Sequence, residues 1–169
     1  DGDLGPGVTV ASVVSASPDL VTVMVDVAAS ARTGRRDVFV AGAGQPGALA
    51  VHDRVDGIKV TPSWAMARVG GGVFPKMPAQ FEAHAFHNGA DGRPDTADDI
   101  DLGLVPARWS LDEYAATYDD EDVKFVGAID AASGLFTPNI DGPNPQRKGR
   151  RNNIGDVWAV ATYTPEPGP

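Results

Sequence analysis

Cysteine is absent from this chain of 169 residues. That excludes disulfides, a thiolate nucleophile, cysteine-ligated zinc and thioether attachment of a c-type haem. Aromatic residues are scarce, 7% within a hydrophobic total of 42%. Small and β-branched residues must therefore pack much of the core. Bases are outnumbered, 14 Lys and Arg against 23 Asp and Glu, for a net charge of −9. This acidity argues against nucleic acid and against an anionic membrane surface, both of which reward clustered Lys and Arg. No stretch approaches the ~20 consecutive apolar residues of a membrane-spanning helix. The opening DGDLGPG carries no signal-peptide pattern and reads as a loop or the start of a processed or excised segment.

What is present is period-two patterning. In Val21–Val27 the four valines share one face, and Thr22, Met24 and Asp26 share the other. Val8/Val10, Val38/Val40, Leu49/Val51 and Ile58/Val60 repeat the theme, separated by Ser17-Pro18-Asp19, Thr33-Gly34, Gly42 to Gly47 and Asp56-Gly57. Roughly five strands before residue 62 are expected, at the spacing of a β-sandwich. An immunoglobulin-like sandwich has about seven, so the first domain is expected to lack N-terminal strands or to be completed by another chain.

Gly70-Gly71-Gly72 predicts a domain boundary, giving domains 1–68 and 69–165. Ala79–Phe86, Val123–Ile129 and Asp156–Tyr163 read as strands. The last is apolar on both faces, so Trp158 is expected to be central and buried. Ser110, three residues before Glu113, forms a capping box that predicts a short helix near 110–118.

Between two strand patterns lies the loop 88–103, NGADGRPDTADDIDLG, with Asp91, Asp95, Asp98, Asp99 and Asp101 against one base, Arg93. Clustered carboxylates and loop carbonyls suit a hard cation such as calcium, and these five are the candidate metal ligands. The EF-hand spacing is not met, and Asp residues capping turns account for the same composition. His84 and His87 lie three apart on a strand, which points them to opposite faces and argues against joint chelation. No Gly-x-Ser-x-Gly elbow occurs, and no two carboxylates are set apart as acid and base, so no catalytic residue is assigned. The basic run 146–151, QRKGRR, is expected to pair with Asp119–Asp122 in the same chain or to dock an acidic partner.

Several runs together resemble one family. They are Phe81-Glu82-Ala83, the loop 88–103, Ala107–Leu111, Asp122–Gly127, Phe136–Asn139, Asp141–Pro145 and Asn152–Trp158. This pattern resembles the C-terminal part of the α subunit of quinohemoprotein amine dehydrogenase, and the valine-rich first half resembles the β-sandwich domain before it. The resemblance implies two tandem immunoglobulin-like β-sandwiches from a periplasmic, multi-subunit oxidoreductase that oxidises primary amines. It also implies that the preceding domain begins well before this chain does. In that family haem c and a cysteine-derived tryptophylquinone carry the chemistry. With no cysteine, this chain is expected to bind neither, to have no cofactor-binding residue, and to serve as a structural and docking module. Its partners would be other domains and subunits of the complex. The alternative is an autonomous, calcium-stabilised β-sandwich binding module.

Overall fold

The structure, a computed structural model, describes residues 2–115, 119 and 121–165. It is almost entirely β, in several small sheets, the pattern of β-sandwich domains. The chain divides into two compact units, 1–57 with 86–102, and 58–85 with 103–169.

In the first unit, β2 (Val8–Ala16) and β3 (Val21–Val27) form a hairpin closed by Ser17-Pro18-Asp19. The turn is held by Ser17, whose hydroxyl donates to Asp19 Oδ1 at 2.8 Å and accepts the Leu20 N–H at 3.1 Å. Pairing Val8↔Val27, Val10↔Val25, Val13↔Val23 and Ala16↔Val21 lines apolar side chains across the two strands, as the alternation predicts. Bulges after Val10 and Val13 each insert one residue into β2. A second sheet joins β1 (Gly2–Asp3), β4 (Gly34–Val40) and β5 (Ala43–Val51) in the order β1-β4-β5. The two-residue connection Ala41-Gly42 has φ of 50° and 87°. Positive φ at both positions is the type I′ geometry that matches strand twist. Burial is sparse here: Val8, Val51, His87 and Ile100 are buried, while most of the β2–β3 valines remain exposed.

All five strands expected before residue 62 form, the last being β6 (Gly57–Thr61). It belongs to a sheet of order β6-β8-β9 with β8 (Glu82–His87) and β9 (Ile100–Leu104). The expected strand 79–86 is broken at Phe81. Before it, β7 (Ala79–Gln80) pairs with β12 (Leu135–Pro138), which also pairs with β11 (Gly127–Ile129). At the break, the Phe81 N–H donates to Gly134 O at 3.1 Å.

Two expectations in the second unit are corrected. Residues Arg108–Glu113 form β10, not the start of a helix, and pair along their whole length with β13 (Val157–Thr162), from Arg108↔Thr162 to Glu113↔Val157. A lost cap is worth only about 1 kcal/mol, whereas this ladder pairs six consecutive residues with a second strand and satisfies the backbone groups of alternate ones. Positions 116–118 of the expected helix lie outside the described residues. Second, β13 is not central. Among the described residues its only ladder partner is β10, and Trp158 is 53% exposed. The buried tryptophan is Trp109, 5% exposed, its ring 6.2 Å from that of Phe81. Gly134 lies against it with φ +72°, and a Cβ there would come within 2.7 Å of the indole. Alanines 79, 83 and 85 and Val126 complete the buried apolar set.

Two further differences concern local chemistry. Of the expected strand 123–129 only β11 forms, since Asp122–Phe125 make a single helical turn, α1. Gly70 and Gly71 lie on one arm of a hairpin in the second unit, and Gly72 opens its turn, so the triplet is part of a hairpin rather than a linker. Glycines supply positive φ to turns and linkers alike, so the triplet by itself does not tell the two apart.

Candidate functional site: the acidic loop and its base

The loop 88–99 connects β8 to β9 and is organised around one carboxylate. Asp98 Oδ2 accepts the N–H groups of Ala90 (2.7 Å) and Asp91 (3.2 Å), and Oδ1 accepts the Thr96 hydroxyl at 2.8 Å. These bonds, the Thr96 hydroxyl first, hold the Asp98 carboxyl below its ordinary range, because each favours the ionised form. Gly89, at φ +62°, passes so close that a Cβ would lie 2.3 Å from Asp98 Oδ2. Only glycine allows the chain to wrap the carboxylate there.

The other candidate ligands are spread along the loop. Asp91 Oδ1 accepts the Arg93 N–H at 2.8 Å, and Asp99 Oδ2 accepts the Asp95 N–H at 2.9 Å. Asp101 sits in β9, where its backbone carbonyl accepts Arg35 Nη2 at 2.8 Å. Among the described residues no three of His, Asp and Glu come together as a set that could hold a metal ion. Much of the compensation that this density of negative charge requires comes from backbone N–H groups and the Thr96 hydroxyl.

At the base of the loop the structure assembles a polar cluster that the sequence did not signal. His87 is 3% exposed on the inward face of β8, while His84 occupies the opposite face, as their spacing predicts. Its Nδ1 accepts the Gly89 N–H at 3.0 Å, which places the ring proton on Nε2, 3.2 Å from Asp53 Oδ1. Asp56 accepts the Asn88 N–H at 2.8 Å and Arg54 Nε at 2.7 Å. The Asn88 bond, then that of Arg54, lowers the Asp56 pKa. Both nitrogens of His87 are engaged within the protein, so its bonds orient the loop and leave neither nitrogen for a substrate proton or a metal. A hint was available in the Asp-Arg-x-Asp turn at 53–56, but its meeting with His87, 34 residues away, is a product of the fold.

The basic run is resolved in favour of pairing within the chain. Arg147 is buried and donates through Nη2 to Asp122, also buried; Asp122 Oδ2 accepts the Asp156 N–H at 2.9 Å. Arg147 Nη1 donates to Asn152 O (2.6 Å) and Ile154 O (3.0 Å), and the guanidinium lies 5.4 Å from the Phe125 ring centroid. Lys148 Nζ is 3.5 Å from Asp119 on the surface. What looks like a docking patch is in part a structural staple.

The family model described as quinohemoprotein amine dehydrogenase, alpha subunit domain IV matches residues 58–168, and that for alpha subunit domain III matches residues 1–53. No curated protein matches the chain.

Proposed function

Because the chain belongs to the quinohemoprotein amine dehydrogenase family, carrying alpha subunit domains III and IV, we propose that it is a non-catalytic structural and docking module of such an enzyme. The observation that carries this reading is the pairing of family membership with a chain that has no cysteine at all. Haem c attachment and a cysteine-linked tryptophylquinone both need cysteine sulfur, so neither group fits these residues and no redox step runs through them. Oxidation of the primary amine belongs to parts of the enzyme outside this chain, in the periplasm. The role left to these domains is to supply buried interface and orientation, and permanent complexes devote ~2,000 Å² or more to that. Among the described residues no helix is long and apolar enough to cross a membrane.

Size-exclusion chromatography with light scattering tests the reading. The chain is run alone and then mixed with the purified haem- and quinone-bearing remainder of an amine dehydrogenase. Co-elution at a defined stoichiometry is expected. A folded monomer that ignores the remainder would overturn the docking role and favour an autonomous module.

A further inference from the structure

The segment 57–81 is the one long stretch of this acidic chain without a carboxylate. It carries Lys59, Arg68 and Lys76, while the whole chain has a net charge of −9. Within it, residues 68–77 fold back as a hairpin. Arg68 and Met77 exchange two backbone hydrogen bonds of 2.9 Å, and Gly71 and Phe74 exchange two of 3.0 Å. Gly72, at φ +59°, and Val73 make the two-residue turn. Positive φ at the first central position alone has the sign pattern of a type II′ turn. Gly70 fits because a Cβ there would stand 2.7 Å from the Lys76 backbone nitrogen.

This rigid hairpin holds apolar side chains out into solvent. Val73 is 91% exposed and Phe74 76%, with Met77 exposed on the returning arm; Trp64, 73% exposed, and Met66 precede the hairpin in the chain. Isolated apolar residues on a surface need no explanation, but Phe74, Val73, Met77 and Arg68 on one braced hairpin, with exposed Trp64 and Met66 just before it in sequence, match the composition of interface cores. Burying Trp64 and Phe74 alone would remove on the order of 300 Å² from water, against ~800 Å² for one side of a standard interface. The bracing also lowers the ordering entropy that a flexible loop would lose on binding.

We infer that this hairpin is a docking finger that enters an apolar groove with an acidic border on another part of the amine dehydrogenase; the inference rests on the docking reading above. Charge complementarity selects the partner. The hairpin has no carboxylate and carries Arg68 and, at its base, Lys76, whose ammonium donates to Pro138 O at 2.7 Å. This local positive charge is attracted to an acidic rim, while the acidic chain as a whole is repelled by an extended anionic surface such as a bilayer of acidic lipids.

The test uses the full chain and the purified haem- and quinone-bearing remainder, with Kd read by calorimetry at low and high salt. Val73→Ser combined with Phe74→Ser should weaken binding at least tenfold. Arg68→Glu should weaken it severalfold at low salt, with the difference shrinking at high salt. Circular dichroism should show both variants folded, since all three side chains are exposed. Val14→Ser, at a position 63% exposed on the β2–β3 hairpin, should leave Kd unchanged. If the wild type binds and either finger variant binds as tightly, the finger is overturned and the docking role stands. If the wild type does not bind, both fall. Wild-type binding to vesicles of phosphatidylcholine and phosphatidylglycerol that the double serine variant loses would reassign the finger to lipid. A dimer of the chain alone that the same variant dissolves would reassign it to a second copy.

Discussion

Arg147 and Asp122, 25 residues apart in sequence, form an ion pair inside the C-terminal unit. Around it the chain is closely fitted. Gly155 lies so near the Asp122 carboxylate that a Cβ would overlap Oδ2 at 1.8 Å. Arg147 also holds the carbonyls of Asn152 and Ile154, so one side chain ties α1 to the approach to β13. Nearby, Asn153 donates to Ile140 O at 3.1 Å and accepts from Asn144 at 2.9 Å.

Breaking one member of a buried pair leaves the other charge uncompensated, at a cost of about 3–5 kcal/mol. Arg147→Met should therefore destabilise strongly in urea denaturation. Arg147→Met with Asp122→Leu should recover part of that loss, because no buried charge is then stranded. Equal losses in the single and double variants would show that the carbonyl bonds of Arg147, and not its charge, matter most.

The two tryptophans should respond differently to truncation. Trp109→Ala removes a buried ring and should cost about 3–5 kcal/mol. Trp158 is half-exposed and packs against Tyr114 in a tilted arrangement, 4.9 Å between centroids. Its replacement by Ala should cost roughly 1–2 kcal/mol, the ring contact plus partial burial. Thermal melts of both variants decide this, and a larger loss at Trp158 would place the core elsewhere.

Asp98 should titrate below the unfolded carboxyl value of about 3.9. The Thr96 hydroxyl and the Asp91 and Ala90 N–H groups favour its ionised form in the folded state. A carboxyl lowered on folding contributes stability that is present above the unfolded pKa and is lost as pH falls through the folded one. The loop amides, Ala90 first, should therefore shift in NMR spectra with a midpoint on the acid side of the unfolded carboxyl value. Asp98→Asn should remove that transition. Persistence of the transition in the variant would assign it to another group.

Calcium should leave the melting temperature unchanged, because among the described residues no three His, Asp or Glu side chains come together as a set that could hold a metal ion. Melts with millimolar calcium and with excess EDTA test this. Ligand bound to the native state alone stabilises by about 2.7 kcal/mol at a hundred times its Kd. A rise of several degrees, abolished by changing Asp98 and Asp99 to Asn, would establish the calcium-stabilised module in place of the docking reading.

Much of the strand pattern was legible because it rests on local features. Alternation in Val21–Val27 and the Ser17-Pro18-Asp19 turn each need only neighbouring residues to act. The helix expected at Ser110 was misread for an instructive reason. Ser and Glu three apart do satisfy a capping box, but Arg108–Glu113 also alternates, with Trp109 and Leu111 on one face. In the fold Glu113 accepts the Val123 N–H at 3.0 Å instead of closing a cap. The acidic loop was found by composition, but its centre at Asp98 was not. Nothing in DTADD sets one carboxylate apart until the chain wraps Gly89 around it.

By itself the sequence determined the β character, the turns, the acidity and the exclusion of cysteine-dependent redox chemistry, all consequences of residue type or spacing along the chain. Tertiary structure decided which tryptophan is buried, which carboxylate meets Arg147, that His87 meets Asp53, and that three glycines belong to a hairpin and not a linker. Those outcomes depend on contacts between residues distant in sequence, where burial and pairing depend on what packs alongside.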